Sequence, residues 1–296
     1  MFSIFGYEQV LESIYHASDK NFLKNKQVDT QELKTAHLMK LETMCPSLFV
    51  NKSHDLIVSN AKETSRLKRL FRPSVLDDLD QSEMLGDCIE GKKLEKNITR
   101  LRKALEVIEV CNPQYYRIFC LIVHSLFFSE GVKNHLGETA KGGTTSAALG
   151  VIWMTDISNR KIIDIVETLI HELTHLTLFV DELTKEQFNN ESLIQDVNTA
   201  TSVIFKKKRP IDKVVHSIVV GTEVLLFRET HLRGILDERP NSHPESEILA
   251  QSIAASANEV LANNLRSKVL TFHGEEIVRR SAEAIEHFIL KRSRAS

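Results

Sequence analysis

Leu169-Ile170-His171-Glu172-Leu173-Thr174-His175-Leu176 reads H-E-x-x-H between apolar flanks. Residues four apart lie one turn above each other on the same face of an α-helix. The spacing therefore aims two imidazoles, His171 and His175, at one divalent ion. Glu172, next to the first of them, comes within reach of whatever the ion binds. Five letters are a short pattern, and its weight comes from helical context. That context is present: Ile162, Ile163, Ile165, Val166, Leu169, Ile170 and Leu173 recur at helical spacing. Asp156 and Ser158 stand where N-caps are expected. A helix is predicted from about Ser158 to about Leu183.

Immediately upstream, Ala147–Thr155 has strand character and runs straight into this helix. A strand there is placed to edge the site and to hold an extended peptide by strand addition. Further back, residues 1–135 read as helices: Tyr7 to about Leu23, Thr30 to about Met44, Asp55–Phe71 and Leu94–Val110, the last broken by Asn112-Pro113. Gln114–Phe128 is apolar nearly all round, which suits a central buried helix. His124 within it is read as a hydrogen-bonded core histidine. Downstream, Phe205-Lys206-Lys207-Lys208-Arg209 reads as a basic loop, and Pro210 opens a buried helix to Phe227 with His216 in its second turn. Helices at about Pro244–Ser267 and Gly274–Arg292 complete the scaffold.

With 296 residues, 42% of them hydrophobic, the chain can bury a proper core. A net charge of −2 gives no global bias towards nucleic acid or an anionic membrane. Cys45, Cys88, Cys111 and Cys120 lack C-x-x-C spacing and suit packed, reduced thiols in a cytoplasmic protein. The first residues are not a signal peptide, and no apolar window is long enough to span a bilayer.

Two imidazoles leave a metal underheld, so a third protein ligand is expected. The metzincin pattern wants His at the position of Asp181 and Gly at that of Leu178. A Glu from a following helix would be Glu191, without a matching helix around it. His216 is the favoured candidate, because a polar ring on a buried helix needs a partner. Glu223, seven positions on, lies near the same face and is a further candidate with Asp181.

Two chemistries fit such a centre. In one, zinc activates a water and Glu172 takes its proton during peptide hydrolysis. In the other, Fe(II) with three protein ligands keeps room for a bidentate 2-oxo acid and dioxygen. That centre needs a cation for the distal carboxylate of 2-oxoglutarate, and Arg209 and Lys213, two and one helical-turn steps before His216, offer it. A third reading is a non-catalytic helical binding module.

Ile170–Glu182 together with Lys208-Arg209-Pro210-Ile211-Asp212-Lys213-Val214-Val215-His216-Ser217-Ile218-Val219-Val220 resembles the HExxH-motif proteins of peptide natural-product clusters, described as 2-oxoglutarate-dependent peptide β-hydroxylases. The resemblance spans about Gly150 to Arg228. It implies Fe(II), 2-oxoglutarate and dioxygen, a ribosomally made precursor peptide as substrate, and His171, His175 and His216 as iron ligands; from the near-neutral charge and short apolar windows, no nucleic-acid or membrane partner is expected. Arg209 as the 2-oxoglutarate clamp follows from its chemistry. The expected fold is mainly α with a small β-sheet next to the HExxH helix, around a zincin-like core. Residues 1–135 form a helical cover and 136–296 the metal-binding region, joined in one compact unit.

Overall fold

The computed structural model describes residues 4–23, 29–45, 55–71, 81–135, 137, 139–189, 198–234, 240–262 and 269–294. They form a mainly helical protein with a small mixed sheet. Two compact units are present, Val10–Asp181, and Met1–Gln9 with Glu182–Ser296. The boundary expected near 135 falls inside the first unit, because the chain on both sides of it builds one sheet.

That unit holds most of α1 (Tyr7–His16), with α2 (Thr30–Met44), α3 (Ala61–Lys68), α4 (Gly91–Cys111) and α5 (Pro113–Ile122); α2, α3 and α5 start where short polar side chains meet orphan amides. Asp29 accepts from the amides of Gln31 and Glu32, and Glu32 reaches back to the Asp29 amide. Asn60 caps α3 in the same way. Asn112 both ends α4 and caps α5, so the expected break is there. Two helices are shorter than their patterns suggest. α1 stops at His16. The start of the Asp55–Phe71 segment is taken by the sheet instead: Leu126 donates to the Leu56 carbonyl at 2.7 Å and accepts from Val58 at 2.8 Å.

The sheet runs β1 (Leu85–Cys88), β2 (Ser125–Gly131), β4 (Val151–Met154), β3 (Gly142–Gly143) in space. β2 and β4 are parallel, with Ser125 opposite Val151 and Phe128 opposite Met154; the outer pairings are antiparallel. β2 corrects the expected Gln114–Phe128 helix. A short apolar run buried on all sides does not distinguish helix from central strand by periodicity. Here α5 ends at Ile122, and the aromatic-rich Leu126-Phe127-Phe128 pairs instead. β4 corrects a second expectation. It lies between β2 and β3 with every residue buried, and at Trp153 and Met154 both sides are already paired, so it is not an edge strand there.

Gly150 joins these strands. Its φ is +81°, and a Cβ there would lie 2.5 Å from His124 Cδ2. Its carbonyl accepts from the amides of His124 and Ser125. The His124 ring bonds Ser125 Oγ at 2.9 Å and the Leu149 carbonyl at 3.0 Å, as expected of a core histidine. Phe71, Phe127, Val151 and Trp153 pack with Leu38, Leu41 and Leu67 as the core beneath the sheet.

The second unit is built on α7 (Ile211–Phe227), α8 (Ser246–Ala262) and α9 (Phe272–Ser293). Val214, Val215, Ile218 and Leu225 pack with Leu249, Ile253, Ala257, Val278 and Ile285. Strands β5 (Thr199–Thr201) and β6 (Lys208–Pro210) form a hairpin leading into α7. The basic residues expected in a loop thus partly lie in a strand, with Arg209 opposite Ala200. The four cysteines are half-buried and not joined in disulfides. No helix among the described residues is long and apolar enough to cross a membrane.

One buried group makes the first unit acid-sensitive. His37 on α2 is fully buried, and neither ring nitrogen has a hydrogen-bond partner among the described residues. Burial, then the nearby His124, lowers its pKa to about 4. Burial also lowers that of His124 to about 4. Each ring stays neutral in the fold but is protonated near its ordinary value once unfolded. Stability is therefore retained above pH ~6.5 and falls as pH drops towards 4, by about 3 kcal/mol for His37. Chemical denaturation of His37→Leu between pH 4 and 7 should show a flatter acid limb than the parent. Equal slopes would contradict this placement of His37.

Candidate functional site

The motif lies on α6 (Ile162–Glu182). The helix begins later than Ser158 because Asp156 accepts from the Ser158 amide at 2.9 Å, closing a separate turn. From Ile163 to Asp181 every residue is buried except His171, His175 and Phe179, which are partly exposed. A helix buried nearly all round must satisfy its own hydroxyls, and α6 does so. Thr168 donates to the Asp164 carbonyl, Thr174 to that of Ile170 and Thr177 to that of Thr174, at 2.7–2.8 Å. What remains accessible is one line along the helix, spaced i, i+4, i+8.

The His171 and His175 ring centroids are 5.0 Å apart, at 59° between planes. Phe179 stacks on the far side of His175 at 6.4 Å and 24°. Phe179 also packs against the core cluster holding Phe127, Val151 and Trp153. The sheet therefore sets the second imidazole through an intervening aromatic ring. Phe179 was missed in the sequence, although the four-residue step from His175 was a signal for it. Gly142 on β3 comes close to the same helix: a Cβ there would lie 3.4 Å from Thr168 Cγ2, one turn before His171.

Glu172 is 4% exposed, off the accessible line. Burial raises its pKa to about 8, so it keeps a proton at neutral pH when no cation is near. Asp181 is buried and accepts from Ser13 Oγ at 3.0 Å.

The remaining expected residues belong to the second unit. His216 lies in the second turn of α7 and is buried; burial, then the charge of Lys213, lowers its pKa to about 3. The next residue, Ser217, accepts from the Val203 amide at 3.3 Å and so ties α7 to the hairpin turn. Glu223 is fully buried and accepts from the Ile4 amide at 2.8 Å, a structural engagement like that of Asp181. Lys213 lies in the first turn of α7, its Nζ 3.5 Å from Asp212 Oδ2. Arg209 is half-buried in β6, so it is not the helical neighbour of His216 that its spacing suggested. Its guanidinium lies 4.7 Å from the Phe205 ring centroid, and burial lowers its pKa against the opposing effect of Asp212. Glu191 lies outside the described residues.

The donor set suits a divalent transition metal in part. Two imidazoles at i, i+4 on an accessible line can share one ion. Among the described residues no three His, Cys, Asp or Glu side chains are gathered as a ligand set. Comparison with models of known protein families and with curated proteins finds no match to this chain.

Titration calorimetry with Zn(II) and Co(II) tests the pair. His171→Ala and His175→Ala should each weaken binding by more than the roughly 10–100-fold typical of outer-shell partners. Both variants should keep the parent melting temperature, because both rings are partly exposed. Unchanged affinity in both would remove the pair from consideration as ligands.

Proposed function

We propose that the chain is a metal-dependent peptide-modifying enzyme whose reaction is Fe(II)- and 2-oxoglutarate-dependent β-hydroxylation of a residue in a ribosomally made precursor peptide. The observation that carries the metal reading is the line on α6, where an otherwise buried helix leaves two imidazoles accessible side by side. The choice of oxygenase follows the resemblance of Ile170–Glu182 and Lys208–Val220 to peptide β-hydroxylases. A zincin-like core, a small sheet beside an H-E-x-x-H helix, is the architecture this reading brings, by motif analogy.

His171 and His175 would hold the ion through imidazole nitrogens. Bound Fe(II), with 2-oxoglutarate and dioxygen, supplies the oxidising power to convert an unactivated C–H bond to C–OH. Phe179 shields one face of His175 from water and fixes its plane. Glu172, buried beside the accessible line, would hydrogen-bond a ligand imidazole or a metal-bound water rather than act as a base open to substrate. The sequence resemblance adds His216 as third ligand. Arg209 is the residue whose planar fork matches a carboxylate, with Lys213 as a second cation.

The second reading, a zinc peptidase, is favoured by one observation. Glu172 adjoins His171 on the motif helix, the position from which an H-E-x-x-H peptidase draws its general base. Glu172→Gln separates the two. It should leave measurable hydroxylation, whereas a peptidase would lose its activity.

The direct test uses protein purified without oxygen, then supplied with Fe(II), 2-oxoglutarate, oxygen and a co-encoded precursor peptide. Mass spectrometry should show a gain of one oxygen, with succinate formed in step. Cleavage of the peptide independent of 2-oxoglutarate would overturn the oxygenase reading. His216→Ala should abolish turnover and weaken Fe(II) binding; full activity would remove it as a ligand.

A further inference from the structure

We infer that the turn between β5 and β6 is a docking surface for an acidic peptide segment. Phe205, Lys206, Lys207 and Lys208 are all exposed, with half-buried Arg209 following. The turn is tight: the Ser202 amide donates to the Lys207 carbonyl at 3.0 Å, and the Lys206 amide to the Ser202 carbonyl at 3.1 Å. It is also anchored. Lys208 Nζ donates to Glu259 Oε1, the Thr201 amide to Glu259 Oε2, and Lys206 Nζ to Ser252 Oγ, all reaching α8. The cations are therefore presented on a rigid frame, which lowers the ordering cost of binding.

Three features fit the surface to a ligand. Lys206 has φ 54°, the left-handed region. A glycine would take that conformation without the steric cost an L-side chain bears, yet the position carries a charge. Phe205 is 46% exposed, and Lys207 Nζ and the Arg209 guanidinium lie 5.4 and 4.7 Å from its ring centroid. An aromatic face rimmed by cations meets an apolar side chain and its neighbouring carboxylates together. The chain as a whole carries −2, so this field is local and opposite in sign to the total. A nucleic acid needs a longer basic track and more stacking rings. A short Asp- and Glu-rich segment needs no more than this turn offers.

The surface borders the proposed 2-oxoglutarate site through Arg209, but Phe205, Lys206 and Lys207 lie outside that site, and the test reads binding, not turnover. Fluorescence anisotropy would follow a fluorescein-labelled peptide of Glu and Leu residues titrated with the full chain, metal-free. Binding should weaken as NaCl is raised. Lys206→Gly/Lys207→Ser should weaken it about tenfold, with a far-UV circular dichroism spectrum matching the parent's. Equal affinity of parent and variant would overturn the proposal. So would a labelled oligo-dT that binds the parent more tightly than the peptide and is lost in the variant, which would make the turn a nucleic-acid surface. His171→Ala, which should weaken metal binding, should leave the peptide affinity unchanged.

Discussion

The near-complete burial of α6 is the constraint on which the rest depends. Burying a Leu, Ile or Val side chain contributes about 1.5–3 kcal/mol, and this helix buries a run of them from Ile163 to Val180. Such burial excludes polar groups that lack partners. Threonine hydroxyls meet the requirement by bonding back into the helix. Two imidazoles cannot do so at the same cost, and both occupy the one line that stays accessible. Burial and accessibility on a single helix therefore separate the packed residues from the two imidazoles that a ligand can reach.

Positioning follows from the neighbours of that line. Phe179 joins the core under the sheet to the face of His175. Ser13 engages Asp181 at the end of the same helix. Gly150 lets β4 start close against His124, where a side chain would collide. None of these residues carries reactive chemistry in the proposal; Phe179 stacks on His175, Ser13 bonds the helix that bears both imidazoles, and Gly150 shapes the sheet whose core Phe179 packs against.

Much of this was legible from the residues. The H-E-x-x-H spacing, the three- and four-residue apolar step of α4 and the Asn112-Pro113 break all report local backbone preferences. Long-range pairing was not legible. Ser125–Gly131 became a strand because β4 pairs beside it, and no local pattern in Leu126-Phe127-Phe128 encodes that partner. Asp55–Val58 left its expected helix for the same reason. Arg209 was read as part of a helical series, whereas hairpin pairing with Ala200 places it in a strand. At the site, the two imidazoles were visible as a motif. The stacking of Phe179 and the burial of Glu172 depend on tertiary packing and emerge only from the fold.

The central claim is that the two motif imidazoles bind one ion. X-ray absorption at the metal edge of Fe(II)-reconstituted protein measures it most directly, by counting imidazole scatterers in the ligand shell. The account predicts an imidazole contribution that falls in His175→Ala while the metal's remaining oxygen or nitrogen shell persists. A parent spectrum without imidazole scattering, or one identical in the variant, would contradict it.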